Sequence, residues 1–324
     1  MAKNSNLYFG IDLGGTNIQA AIYDIKKQEI VIRDGTKTKA TEGADAVLGR
    51  IEKICKKLME KAELKPDDIA GLGIGAPGAI DFDHGLVLDA PNLGWVDYPL
   101  QEELGKRLDF PVVIDNDVNV GAWGEYKAGA GKGYEEQMSV FVGTGVGAGL
   151  IIHGKLYQGT GHTAGEIGHM VVGGRGTLGH RTVEDLASRT SMVRRIRHMI
   201  EYNHKSVVKE IVDGDLSKIR SKVIAQAFEQ GDALVVEIVE DAARYIGMAI
   251  ANSVTLLSLP CVVLGGGASE ALGKPWLKLV RKNFEDHVFP DKMKETKIVL
   301  SELEDNAGPI GAALLAADTL GSKD

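Results

Sequence analysis

The chain holds little cysteine, two in 324 residues. Cys55 and Cys261 stand far apart and outside any Cys-x-x-Cys pair. No disulfide framework or thiolate metal centre can be built from them, and such sparing use fits a reducing cytosol. An excess of positive charge is also missing. Lys and Arg number 37 against 45 Asp and Glu, a formal net charge of -8. That argues against nucleic acid or an anionic membrane as a partner. It leaves open a small anion held by backbone groups. A leader-like stretch is absent, since Met1–Asn6 is short and polar. The stretch Ile246–Leu264 carries no charged residue, but it is interrupted by Asn252, Ser253, Thr255 and Ser258 and broken by Pro260. A membrane span needs about 20 apolar residues, so a buried helix ending near Leu259 and a strand Cys261–Leu264 are expected instead. No Pro/Ser-rich linker divides the chain, and no Gly-x-x-x-x-Gly-Lys-[Ser/Thr] loop occurs: Gly131-Lys132 is followed by Gly133.

What remains is an ordinary globular balance, 44% hydrophobic and 25% charged, with enough chain for two lobes. Patterning predicts strands at Tyr8–Asp12, Ile18–Tyr23 and Glu29–Arg33. A helix follows over 46–62 with Val47, Ile51, Ile54 and Leu58 on one face. Ile69–Ile74 reads as a buried strand ending in the turn Gly75-Ala76-Pro77-Gly78. A short helix Leu100–Leu108, a strand Val112–Asp115 and a helix Val118–Lys127 come next. The opening then recurs: strand Met138–Val142, turn Gly143-Thr144-Gly145, strand Val146–Ile152. Two strand–glycine turn–strand units about 130 residues apart suggest an internal duplication. Beyond it, Met192–Leu259 is helix-rich, Trp276–His287 a helix, Lys297–Leu300 a strand and Pro309–Thr319 a final helix.

The chemistry starts at Asp12-Leu13-Gly14-Gly15-Thr16. Glycines at a tight turn let backbone N–H groups approach phosphate oxygens. Thr16 adds a hydroxyl, and Asp12 offers an oxygen ligand for Mg²⁺ through water. Gly143-Thr144-Gly145-Val146-Gly147 repeats that chemistry. Either alone is equally a plain hairpin turn; together they suggest a two-sided phosphate clamp. Gly73-x-Gly75-x-x-Gly78 and Gly143-x-Gly145-x-x-Ala148 imitate a dinucleotide fingerprint, which must open a helix. The first leads through Pro77 into Asp81-Phe82-Asp83 and the second into a strand, so neither qualifies. Asn116-Asp117 begins a helix, where Asp117 could take a proton from a hydroxyl attacking a γ-phosphate. Helix capping is the competing explanation for both. Glu166-Ile167-Gly168-His169 follows the loop Gly159–Gly165 and reads as a polar site beside adaptable backbone or as a surface loop. The set His162, Glu166 and His169 has no metal-ligand spacing. Glu184 reads only as a first-turn acid matching a helix dipole. Gly265-Gly266-Gly267 after a strand exceeds what one turn requires and suits a nucleoside.

Taken in order, Asp12–Thr16, Ala76-Pro77-Gly78, Pro91-Asn92-Leu93-Gly94-Trp95, Asn116-Asp117-Val118-Asn119, Gly143–Gly147, Ala164-Gly165-Glu166-Ile167-Gly168-His169 and Gly265–Gly267 resemble the ROK family of repressors and sugar kinases. The resemblance runs over nearly the whole chain. It implies an α/β, two-lobed actin-like (ribonuclease H-like) fold with duplicated mixed sheets. The expected lobes are 1–118 plus 305–324 and 119–304. It implies phosphorylation of a hexose, glucose first, at the 6-hydroxyl, with mannose, allose, N-acetylmannosamine or N-acetylglucosamine as alternatives. Asp117 would be the base. Asn92, Asn116, Glu166, His169 and Glu184 would hold the sugar. Gly14, Gly15, Thr16, Thr144, Gly145 and Gly265–Gly267 would hold ATP, with Mg²⁺ at Asp12. A cytoplasmic homodimer is the family expectation.

Two departures sharpen the expectation. The family's Cys-x-Cys-Gly-x-x-Gly-Cys zinc loop is replaced by Arg175-Gly176-Thr177-Leu178-Gly179-His180-Arg181-Thr182, so zinc is not expected. The first strand also begins within about eight residues of Met1, leaving no room for the repressors' DNA-binding helix-turn-helix.

Overall fold

Two hairpins closed by glycine turns start two sheets, and the remaining chain is wrapped around them. The computed structural model describes residues 5–172 and 181–321. The cysteine-free stretch Arg175–His180 lies outside those residues. The first sheet opens with β1 (Leu7–Leu13), β2 (Asn17–Asp24) and β3 (Glu29–Lys37), then α1 (Ala44–Lys61) and β4 (Ile69–Ala76). A three-stranded sheet follows, β5 (Ala79–Asp81), β6 (Leu86–Ala90) and β7 (Trp95–Tyr98), which sequence patterning left unassigned. Then come α2 (Leu100–Gly105), β8 (Val112–Asn116) and α3 (Asp117–Ala128).

The second sheet opens with β9 (Gln137–Val142), β10 (Val146–Ile152) and β11 (Lys155–Tyr157). A helical layer follows: α4 (Val183–Ala187), α5 (Arg189–Glu201), α6 (Val208–Ile211), α7 (Ser221–Glu229) and α8 (Ala233–Leu257). The chain closes with β12 (Cys261–Gly265), α9 (Gly267–Glu285), β13 (Lys297–Leu300) and α10 (Ala307–Gly321). The uncharged run from Ile246 is thus the end of a packed helix and a core strand. Among the described residues no helix is long and apolar enough to cross a membrane.

The strand orders are β3-β2-β1-β4-β8 and β11-β10-β9-β12-β13. Each has an antiparallel hairpin joined to parallel strands. The two orders are the same, which bears out the expected duplication.

Strand periodicity decides which face each residue serves. In β1, Phe9, Ile11 and Leu13 join Val47, Leu48 and Ile51 of α1 in one core. Gly10 and Asp12 face α10, where a Cβ on Gly10 would lie 1.7 Å from the Pro309 carbonyl oxygen. In β9, Met138, Val140 and Val142 join the core beneath α4–α9. Phe141 faces α3, its ring against Gly121. So α10 covers one sheet, α3 covers the other, and these two helices pack on each other. At their crossing a Cβ on Gly124 would sit 3.1 Å from Gly311 Cα. The buried carboxylate of Glu125, in α3, accepts from Ser301 Oγ at 2.5 Å and Leu303 N at 3.1 Å, pinning the entry to α10.

Candidate active site

Because the two sheets share one plan, their glycine turns arrive at the same level of a cleft of about 1110 Å³. Gly14, Gly15 and Thr16 line one wall, and Gly143, Thr144 and Gly145 line the other. Asn92, Asn116, Asp117, Glu166, His169, Glu184 and Gly266 line the same cleft. Each turn is closed by its own backbone: Gly14 N donates to Asn17 O at 2.9 Å, and Gly143 N to Gly145 O at 2.9 Å. Side chains brace them from behind. Thr38 Oγ1 donates to Gly14 O at 2.6 Å. Glu184 Oε2 accepts from Val146 N at 2.9 Å, and Thr190 Oγ1 donates to Thr144 O at 2.7 Å.

At the cleft floor β8 runs into α3. Asn116 is the N-cap: its Oδ1 accepts from Val118 N at 2.9 Å and Asn119 N at 3.2 Å, while Nδ2 donates to Gly78 O at 2.9 Å. The capping explanation therefore holds for Asn116. Asp117 is the first helical residue, its Oδ1 accepting from Val118 N at 2.9 Å. Burial pushes its carboxyl up to about 7, with Asp12 and Glu166 adding to the effect. Asp12, at the end of β1 beneath the first turn, is pushed up to about 6 by burial and then by Asp305. A desolvated acid beside other acids holds its proton more tightly.

Asp115 was not singled out from the sequence, yet it organises this floor. Only 3% exposed, it accepts from Asn116 N at 2.6 Å, Asn119 Nδ2 at 2.9 Å and Gln158 Nε2. Gln158 opens the loop that carries Glu166 and His169, so this contact ties β8 to the opposite sheet's loop. Burial pushes Asp115 up to about 6 against those donors.

Glu166 and His169 flank one turn of 3₁₀ helix, with Glu166 Oε2 3.7 Å from His169 Nε2, and both side chains are more than half exposed. Glu184, unremarkable as sequence, enters the cleft with one oxygen committed to Val146 N. The three consecutive glycines divide. Gly265 packs under Phe141, Gly266 lines the cleft, and Gly267 opens α9 facing Ser221. Asp12, Gly265 and Gly267 stand behind the cleft wall, not on it. His162, set aside as a metal ligand with Glu166 and His169, instead lies within 4.8 Å of Asp81 and Asp83 oxygens across the cleft mouth.

The arrangement can hold a phosphate chain between two backbone turns and present a hydroxyl-bearing ligand to Asp117. For a divalent cation the donor set is oxygen-only: Asp12, whose carboxyl Asp305 pushes up and which in turn pushes up Asp117. Such carboxylates fit Mg²⁺.

Comparison with known proteins follows the same lines. Residues 8–319 match the ROK family. The chain is 33% identical over 313 residues to a glucokinase of Halalkalibacterium halodurans, covering 95% of this chain and 94% of that one. It is 29% identical over 325 residues to the xylose repressor of Caldicellulosiruptor bescii, covering 98% of this chain and 80% of that one. A ROK family glucokinase from Streptomyces griseus, solved with glucose and AMPPNP, superposes with a TM-score of 0.85 at 31% identity, covering 96% and 99% of the two chains. The architecture is the actin-like ATPase fold.

Proposed function

The chain belongs to the ROK family and is a sugar kinase, and we propose that it moves the γ-phosphoryl group of ATP to the 6-hydroxyl of a hexose, glucose first, with Asp117 as general base. The observation that carries this is the place of Asp117. It sits at the start of α3, between the two glycine turns, with its proton affinity raised to about 7. A base with that affinity is half ionised near neutral pH, which suits proton transfer in the transition state.

The residues divide the work. Backbone N–H groups of Gly15 and Thr16 on one side and of Thr144 and Gly145 on the other cradle the phosphates, and Gly266 admits the nucleoside close to the backbone. Asn92, Glu166, His169 and the free oxygen of Glu184 offer acceptors and donors for sugar hydroxyls. Asn116 holds the helix start that aims Asp117. Asp12 would hold Mg²⁺, which neutralises phosphate charge when bound. Positioning and charge neutralisation are most of what phosphoryl transfer asks of a protein.

A coupled ADP-release assay across glucose, mannose, allose, N-acetylmannosamine and N-acetylglucosamine identifies the acceptor. Asp117→Asn is expected to lower kcat by roughly 10²–10⁴-fold while glucose binding stays within a few-fold. Near wild-type turnover in that variant overturns the assignment of the base.

A further inference from the structure

At the mouth of the cleft, Asp81, Asp83 and His162 bring one donor atom each within 4.8 Å of one another. They come from distant parts of the chain. Asp81 ends β5 and Asp83 stands in the turn between β5 and β6, while His162 stands in the loop between β11 and the 3₁₀ turn of His169. The residue between the two aspartates joins the contact: Phe82 meets the His162 ring edge to face, with centroids 4.8 Å apart and planes at 84°. Asp81 is fixed from its own side. Its Oδ2 lies 2.8 Å from His84 Nδ1, and its Oδ1 accepts from His84 N at 3.1 Å.

His162 is the unsatisfied member. Its Nδ1 is buried and has no hydrogen-bond partner, and among the described residues its ring makes no ion pair within 4 Å. A buried polar atom without a partner is costly. The imidazole stands too far from either carboxylate to bond it directly, yet one ion can reach all three groups. Ligand atoms around a tetrahedral zinc, each bonded at about 2.0–2.2 Å, lie about 3.3–3.6 Å apart, so seating the ion draws the three inward by about 1 Å. An imidazole with two carboxylates suits a first-row transition cation better than Mg²⁺, which takes oxygen ligands. The hydrogen bonds from His84 orient Asp81 in the way ligating carboxylates are commonly held.

We propose that Asp81, Asp83 and His162 form a binding site for a divalent transition cation such as Zn²⁺, which fastens the β5–β6 turn to the loop that carries Glu166 and His169. The site uses neither Asp12 nor any residue of Arg175–Thr182, the stretch that replaces the family's cysteines. Glu166 follows His162 by four residues, so the cation fixes the near end of the segment offered to the sugar, and its occupancy favours sugar binding. That last step rests on the proposed sugar role of Glu166 and His169.

The test is calorimetric titration of the whole protein, treated with EDTA and dialysed, with ZnCl₂ and separately with MgCl₂. One Zn²⁺ per chain is expected to bind in the micromolar range or tighter, and Mg²⁺ far more weakly. Asp83→Asn and His162→Gln should each weaken Zn²⁺ binding at least tenfold while melting with wild type in EDTA, which separates loss of a ligand from loss of the fold. His153→Gln removes an exposed histidine paired with Glu136 elsewhere and should leave Zn²⁺ binding unchanged. Glucose affinity, measured without nucleotide, should rise a few-fold with Zn²⁺ in wild type and stay flat in His162→Gln. Absence of Zn²⁺ binding, binding that survives both Asp83→Asn and His162→Gln, or equal affinity for Mg²⁺ overturns the proposal. Zn²⁺ binding that leaves glucose affinity unchanged overturns the link to the sugar loop. Failure of glucose to bind at all would strike the sugar reading and leave the zinc titration to judge the site.

Discussion

The two lobes use one strand order and one turn, and they differ in what stands behind it. Two residues before the first glycine, β1 carries Asp12 and β9 carries Phe141. Both face the helix between the sheets, α10 in one case and α3 in the other. In the first lobe that position brings a carboxylate toward Asp117 and Asp305. In the second it brings a ring that fills the space beside Gly121 and Gly265. Bracing differs in the same sense. The first turn is held by one buried residue, Thr38. The second is held by Glu184, Arg189 and Thr190 from the helical layer. Duplication thus supplies two similar cradles. A buried carboxylate sits behind one, and ring packing stiffens the other.

The largest effect should come from exchanging these roles. Asp12→Asn is expected to lower kcat by roughly 10²-fold or more, the usual loss when one stabiliser of developing charge is removed, and to change the magnesium concentration needed for half-maximal rate. Phe141→Leu should keep kcat within a few-fold and lower the melting temperature. Equal kinetic losses in the two variants would mean that the lobes are not specialised.

Next is pH. A base must be ionised to act, and Asp117 is pushed up to about 7. Below that value kcat/KM should fall about tenfold per pH unit. The stability sign is opposite. A carboxyl whose folded value is raised favours folding below its ordinary value near 3.8, and that contribution is lost as pH rises through about 7. Asp117→Asn should therefore melt higher than wild type at pH 8 and match it at pH 4. No crossover between activity and stability would show that burial does not govern this group.

Much of this was legible locally. Strand and helix ends fell within a few residues, and both glycine turns reached one cleft, because turn chemistry and periodicity are written in neighbouring residues. What escaped depends on distant partners. β5–β7 are three to five residues long and pair only with one another. Asp115 looks like the plain end of a strand until Gln158 arrives across the cleft. Glu184 looks like dipole matching until Val146 is beside it. The helix expected at Trp276 is there, but a shorter helical stretch from Gly267 precedes it; Gly273 (φ 59°) breaks the two apart, and Pro275 then stands in a first turn, where its missing N–H costs little.

A smaller effect separates the glycines. Gly266 has φ 84°, and an added Cβ would lie 2.7 Å from Val142 N. Backbone conflict of this kind has no flexible end to yield, so Gly266→Ala should cost about 1–3 kcal/mol, read as a lowered urea midpoint. At Gly15 a Cβ would be 3.1 Å from Asn92 Cβ, a contact the exposed Asn92 can relax. Gly15→Ala should leave the midpoint nearly unchanged and raise the KM for ATP. The reverse pattern would place the tighter constraint in the first lobe.

The smallest effect tests the braces. Thr38 and Thr190 make the same contact on opposite turns, a hydroxyl to a carbonyl at 2.6 and 2.7 Å. Thr38 is fully buried, so Thr38→Val leaves the Gly14 carbonyl without its donor where water does not readily replace it. An unsatisfied buried acceptor costs about 1–3 kcal/mol, and for a chain of this size each kcal/mol lowers the melting temperature by roughly 2–4 °C. Thr190 is exposed, so water can take over at the Thr144 carbonyl, and Glu184 and Arg189 still hold that turn. Thr190→Val should therefore stay within about 0.5 kcal/mol of wild type. Calorimetric melting of the two variants decides the matter: a clear drop for Thr38→Val alone means that the first cradle hangs on one contact and the second on several, whereas equal drops would make the bracing as symmetric as the sheets.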